Sequence, residues 1–296
     1  MEIEKRFYSN GIPLASTIYV PGGKENLEGK YPAVILCHGH SRYRNDGLDA
    51  LAAVLGDKGI ASIRFDFRGC GEYAVNRYSL QVASEMPEDV FSALSFAESL
   101  PFIDGGRLGL AGISMGAVVV VYVGGSGDKR IKSIVSMAGM ADSEKGLKDI
   151  YENNGGDWNA FLKRISEDGK IAAATGNSQM INALDMFHYS DQKKREGVIN
   201  SLLEPGGNAY VTLQSVANFM RIKPIERCAS IDCPIFFVHG AEDELISPAN
   251  SVIMHKSVRS PGKKLKIYEG LDHNIPASNN RTAAFADIVE WFANTL

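Results

Sequence analysis

Arg107-Leu108-Gly109-Leu110-Ala111-Gly112-Ile113-Ser114-Met115-Gly116 leads without a break into Ala117-Val118-Val119-Val120-Val121-Tyr122-Val123. Two apolar runs meet at Gly112-Ile113-Ser114-Met115-Gly116. A G-x-S-x-G pentapeptide at such a junction reads as a sharp strand-to-helix turn that lifts a serine hydroxyl above a sheet. Side chains two positions to either side of the serine would collide with the strand and the helix, so both places hold glycine. The helix that follows presents unpaired backbone N–H groups at its start, which favour developing negative charge. The valines favour a strand by propensity. We nevertheless read Ala117–Val123 as a helix, because the turn requires one and a fully buried helix shows no polar stripe. With 30 glycines in the chain, the pentapeptide alone is weak evidence, and the rest of the sequence must supply an acid, a base and oxyanion donors.

Composition sets the class. The chain has 296 residues, 45% hydrophobic and 22% charged, which is ordinary for a globular protein with a sizeable core. A net charge of −4 gives no electrostatic reason to expect nucleic acid or an anionic membrane as partner. Met1–Tyr8 has no apolar stretch of a secretory signal, and no run reaches the ~18 apolar residues of a membrane span. A cytoplasmic location is therefore expected. Cys37, Cys70, Cys228 and Cys233 form no C-x-x-C pair and read as buried free thiols.

Working outward from the pentapeptide, strands and helices alternate. Ile3–Ser9 and Leu14–Val20 read as a hairpin turning at Asn10-Gly11. Tyr31–Cys37 reads as a strand apolar on both faces, followed by His38-Gly39-His40. Asp46–Lys58 has a helical stripe, and Ile60–Phe67 is the next strand. A helix starts near Pro87, and Ile131–Ala138 is another buried strand. The pattern breaks over residues 141–230, where amphipathic segments (Glu144–Tyr151, Trp158–Ile165, Lys193–Leu203) alternate with Gly-rich breaks and scattered aromatics. It resumes with a strand at Cys233–Val238, a helix from Pro248, a strand at Lys264–Tyr268 and a final helix over Arg281–Thr295. The expected architecture is α/β: a mostly parallel central sheet with helices on both faces. Residues 1–140 and 231–296 form the core domain, and 141–230 a helical cap insertion over the site.

Ligands of open α/β sheets bind beyond the carboxyl ends of the strands. Ser114 is there, as nucleophile. His273, after the last strand, is the candidate base. Asp243, in His239-Gly240-Ala241-Glu242-Asp243, is the candidate acid that fixes the tautomer of His273. Glu242 and Glu244 flank it and compete for that role. The chain order Ser114, Asp243, His273 suits this type of turn. Oxyanion donors are expected from the backbone N–H of Met115 and of His40, with Ser41 as alternative to His40. Ser41-Arg42-Tyr43-Arg44 reads as a solvated loop; its two arginines would suit a substrate carboxylate or phosphate if they faced the entrance.

Cys37-His38-Gly39-His40, Phe65-Asp66-Phe67-Arg68-Gly69-Cys70-Gly71, Gly112–Gly116, His239–Asp243 and Asp272-His273 together resemble the α/β-hydrolase superfamily over nearly the whole chain. The F-D-x-R-G-x-G piece and Glu88-Asp89-Val90 look most like the feruloyl/cinnamoyl esterase and dienelactone hydrolase-like group. In place of the serine usual after G-x-G in that group, Glu72-Tyr73 follow. The resemblance implies that Asp66 and Arg68 serve the fold and not the site. It implies a serine hydrolase that cleaves carboxylic esters through an acyl-enzyme on Ser114. Thioester, amide and carbon–carbon bonds remain open to the same triad, and a non-catalytic binding protein is disfavoured by the intact residue set. No cofactor or metal is expected, since the chain supplies its own nucleophile and shows no ligand-spaced cluster. The expected partner is a small-molecule ester; nothing in the residue pattern argues for or against a homodimer.

Overall fold

A computed structural model describes residues 1–23, 27–71, 81–189, 196 and 207–296. The sheet has eight strands: β1 (Glu2–Ser9), β2 (Ile12–Tyr19), β3 (Tyr31–Cys37), β4 (Ala61–Phe65), β5 (Ile103–Ile113), β6 (Ile131–Met137), β9 (Ile235–Gly240) and β10 (Lys263–Tyr268). Their spatial order is β1-β2-β4-β3-β5-β6-β9-β10. From β4 to β10 every pairing is parallel, while β1–β2 and β2–β4 are antiparallel. The β1–β2 hairpin turns on Asn10 (φ 48°) and Gly11 (φ 80°), the two left-handed residues of a type I′ turn.

Side-chain alternation sends the parallel strands' residues to two cores. Ala33, Ile35 and Cys37 of β3 join one apolar cluster, together with α2 (Met86–Ser99) and α3 (Met115–Gly124). Val34 and Leu36 join the other, under α1 (Leu48–Gly56) and the C-terminal α9 (Thr282–Thr295). Helices thus cover both faces, as the near-continuous apolar strands require. The valine run does form α3. Of its residues only Tyr122 is not buried, so packing on all sides overrides the strand preference of Val118–Val121.

Between β6 and β9 the described chain forms α4 (Ser143–Asn153), α5 (Trp158–Thr175), α6 (Leu213–Phe219), α7 (Ile225–Cys228) and a two-stranded ribbon of β7 (Met180–Asn182) and β8 (Tyr210–Thr212). α8 (Ala249–Ser257) follows β9. The two ends of the 141–230 segment are tied together: Ile225 N–H donates to the Ala141 carbonyl at 2.9 Å, and Lys223 pairs with Glu144 at 3.0 Å. Leu147, Trp158, Phe161, Leu184, Met186 and Phe219 are buried in the same cluster as the α2–α3 face. Within the segment, Tyr151, Trp158 and Phe161 pack ring against ring. The expected amphipathic stretch Lys193–Leu203 and the Glu72-Tyr73 pair lie outside the described residues, apart from Glu196. Among the described residues no helix is long and apolar enough to cross a membrane.

All four cysteines are free and buried. Burial pushes the Cys228 thiol up to about 12 and the Cys233 thiol to about 11. The thiolate is the reactive form. We therefore expect no reaction with a disulfide reagent at pH 8 in the folded protein, and four equivalents once it is unfolded, read by thionitrobenzoate absorbance.

Candidate active site

β5 ends in a single-residue reversal. Ser114 has φ 56° and ψ −117°, a conformation that L-residues rarely adopt and that the surroundings must enforce. Its N–H donates to the Met137 carbonyl at 2.9 Å, ending the β5–β6 ladder, and its carbonyl accepts from Val118 N–H at 3.0 Å, starting α3. The glycines have specific reasons. A Cβ on Gly112 would stand 2.3 Å from the Gly116 carbonyl, and one on Gly116 would stand 2.2 Å from the Cys37 carbonyl oxygen. Gly112 thus meets the helix, whereas Gly116 meets the end of the neighbouring strand β3.

Parallel pairing brings the carboxyl ends of β3, β5, β9 and β10 to one edge of the sheet. There Ser114 Oγ lies 3.0 Å from His273 Nε2, and His273 Nδ1 lies 2.8 Å from Asp243 Oδ2. Asp243 Oδ1 accepts from Leu245 N–H at 3.0 Å and Ile246 N–H at 2.8 Å. Burial alone would raise the Asp243 pKa. Hydrogen bonds from His239 and His273 and the Ile246 N–H outweigh it and hold the carboxyl well below the usual carboxylate range. An ionised Asp243 accepts the Nδ1–H of His273, leaving Nε2 as an acceptor for the Ser114 hydroxyl.

The loop after β3 is held by His38. Phe67 N–H donates to His38 Nε2 at 3.1 Å, so Nδ1 carries the proton and donates to the Gly39 carbonyl at 2.7 Å. In a trans peptide that turns the His40 N–H to the opposite side. Gly39 abuts the serine: a Cβ there would be 3.4 Å from Ser114 Cβ. The Ser41 N–H is engaged by the Gln81 side chain at 3.3 Å. Met115, first residue of α3, has an N–H with no intrahelical partner.

A cavity of about 650 Å³ opens over Ser114 and His273; Leu184, Phe187 and Tyr189 of the 141–230 segment line one side of it. Its volume is within the range of roughly 300–1,000 Å³ usual for small-molecule sites.

Residues 30–279 match the family model described as serine aminopeptidase, S33. The chain belongs to this α/β-hydrolase family. A relative, an uncharacterized 31.7 kDa protein of the traX-finO intergenic region of Escherichia coli, is 30% identical over 272 residues, 92% of this chain and 91% of that one. A monoacylglycerol lipase of Mycolicibacterium smegmatis is 24% identical over 283 residues, 89% of this chain and 88% of its own. Other relatives bear names of a different kind, a quorum-quenching protein of Acinetobacter baumannii among them. The structure of Est1E from Butyrivibrio proteoclasticus with ferulic acid bound has the same fold, with a TM-score of 0.69 at 16% identity over 98% of each chain.

Within this α/β-hydrolase the flanking candidates separate. Asp243 is the carboxylate that reaches His273; Glu242 instead accepts from Gly270 N–H at 3.0 Å. The loop arginines are not solvated as expected. Arg44 is held by Asp66 at 2.6 Å and by Thr17 at 3.1 Å, away from the cavity lining. Arg42 does line the cavity, paired with Asp46 at 3.3 Å. Asp66 and Arg68 act in the fold, Arg68 through Asp89. Sequence reasoning passed over His239, which contacts Asp243 at 3.1 Å from inside β9. A signal existed, because a histidine inside a buried apolar strand needs a polar partner.

Proposed function

We propose that this protein is a serine hydrolase of carboxylic esters, with Ser114 as nucleophile, His273 as general base and acid, and Asp243 as the residue that orients His273. The observation that carries the reading is the unbroken line from Ser114 Oγ through His273 to Asp243 at 3.0 and 2.8 Å, opening on the cavity. Ser114 Oγ attacks the ester carbonyl while its proton passes to His273 Nε2. The N–H groups of Met115 and His40 receive the oxyanion. Collapse of the tetrahedral intermediate breaks the bond to the alkoxy oxygen, which takes the proton from His273 and leaves as the alcohol. Water, deprotonated by His273, then attacks the acyl-enzyme, and the acid is released with Ser114 restored. We read the 141–230 segment as a cap, whose Leu184, Phe187 and Tyr189 form an apolar wall for the acyl or alcohol group.

The chain's relatives bear names of different activities, so the bond is chosen by experiment. A panel of short and long p-nitrophenyl esters, methyl ferulate, an acyl thioester and a p-nitroanilide separates the cases. Turnover of esters ahead of the others supports the reading. A folded protein that cleaves the thioester or anilide and no ester overturns it.

The low Asp243 pKa makes a second expectation. A carboxyl held that low keeps its charge as the pH falls and adds no step of its own to the acid limb, and a protonated His273 cannot accept the Ser114 proton. The acid limb of kcat/KM should therefore fall with a slope of one, as a single ionisation, with no second step above about pH 4.

A further inference from the structure

The hydrogen-bonded line does not end at Asp243. His239 Nε2 lies 3.1 Å from Asp243 Oδ2 and 2.8 Å from the Ile246 carbonyl oxygen. Both partners are acceptors, so Nε2 carries the proton and donates to them. Nδ1 is then the acceptor for the Ser251 hydroxyl, at 2.7 Å. His239, Ser251 and the Asp243 side chain are fully buried. His239 sits within β9, paired with Ile267 of β10, and Ser251 sits on α8, so two regular elements fix this ring. Asp243 Oδ2 thereby accepts from two imidazoles while Oδ1 accepts from two backbone N–H groups.

We propose that His239, oriented by Ser251, is a positioning residue for the reaction, which aims Asp243 Oδ2 at His273 Nδ1 and draws off part of that oxygen's charge. It touches no reacting atom and acts through Asp243. The inference rests on the reading of Ser114, His273 and Asp243 as a triad. Its consequence is specific. Without the His239 N–H, Oδ2 has only His273 as imidazole partner. The carboxylate then holds an imidazolium at His273 more strongly, and its own angle is less restrained. His273 should take up its proton at higher pH and be worse placed for Ser114.

The test compares wild type with His239→Leu, His239→Gln and Ser251→Ala, all shown to be folded by circular dichroism. Glutamine keeps an N–H near the place of Nε2, and leucine removes it. The charged and titratable groups that share the cavity with His273, namely Arg42, Asp46, Tyr189, Glu242, Glu244, Asp272 and His40, stay the same in every variant. Two readouts are taken: the pH profile of ester hydrolysis, and the His273 titration followed by imidazole NMR, which needs no turnover.

In His239→Leu, kcat should fall about 10- to 100-fold, with KM within about threefold. The acid limb and the NMR titration should both move up by about half a unit or more. His239→Gln should recover most of both, and Ser251→Ala should move them the same way by less. A folded His239→Leu with wild-type kcat and an unmoved titration overturns the inference, as does equal loss in the leucine and glutamine variants. If His239→Leu does not fold, Ser251→Ala decides, and an unmoved His273 titration there overturns it. Failure of the triad reading would look different. Wild type would then cleave no ester, or Ser114→Ala would retain activity, while the NMR titration would still report whether His239 acts on His273.

Discussion

Ser114→Ala is expected to lower ester turnover by about 10⁴-fold or more while leaving the amount of folded protein unchanged. The two halves of that expectation come from different parts of the structure. The Ser114 hydroxyl bonds to His273, and the turn itself is built from backbone contacts: Ser114 N–H to Met137 and Val118 N–H to the Ser114 carbonyl. Alanine keeps the backbone and the glycine contacts that force the reversal. It removes the oxygen that, in the proposed reaction, forms the acyl bond. His273→Gln should cost nearly as much, because residues acting as a unit are not additive, and Asp243→Asn about one to two orders of magnitude less. Melting temperature measured beside the rates separates chemistry from folding. Substantial turnover in folded Ser114→Ala would place the nucleophile elsewhere.

The largest effect on stability is expected at Arg68–Asp89. Arg68 is 4% exposed and Asp89 fully buried. Arg68 donates from Nε at 2.9 Å and from a terminal nitrogen at 2.6 Å to Asp89 Oδ1, and its backbone N–H donates to Oδ2 at 3.1 Å. The guanidinium also reaches Ser9 on β1 at 2.9 Å and Glu85 at 2.6 Å. The pair therefore joins the loop after β4 to α2 and to the first strand. Removing Arg68 leaves Asp89 buried without a charged partner, a loss of about 3–5 kcal/mol, and removing Asp89 leaves the buried Arg68 with Glu85 alone. In a protein of this size Arg68→Met or Asp89→Leu should lower the melting temperature by roughly 10 °C. The double variant should lose less than the sum of the singles, since it leaves no orphan charge. Additive losses in the double variant would mean that the two side chains do not act as a pair.

Much of the fold was readable because the relevant signals are local. Apolar runs of strand length, the Asn10-Gly11 turn and the position of Pro87 each carry their own geometry. The helix over Met115–Gly124 needed more than propensity, since only the requirement of the Ser114 turn outweighs four consecutive valines. Less was readable between β6 and β9. The stripe of α5 fades after Ile165 while the helix runs on to Thr175, with Ile171 exposed. Its ends were nevertheless marked: Asp157 caps the first turn through Ala160 N–H, and Gly176 closes the last at φ 76°. The three-residue strands β7 and β8 are too short for alternation to register.

The candidate residues divide in the same way. Ser114, Asp243 and His273 were found because each follows a strand and stands next to a glycine-bearing turn. Arg44 was misjudged as solvated because its anchors, Asp66 and Thr17, are distant in sequence and close only through the β2–β4 pairing. His239 was read only as the start of the His239–Asp243 turn, because its partner Ser251 lies twelve residues on, in α8.

The most direct test is to trap the acyl-enzyme. Wild type is mixed with a p-nitrophenyl ester or a fluorophosphonate, quenched in acid within the first turnover, digested and mapped by mass spectrometry. The account predicts one adduct, on the peptide carrying Gly112-Ile113-Ser114-Met115-Gly116 and at Ser114. No adduct on folded protein, or an adduct at another residue, would contradict it.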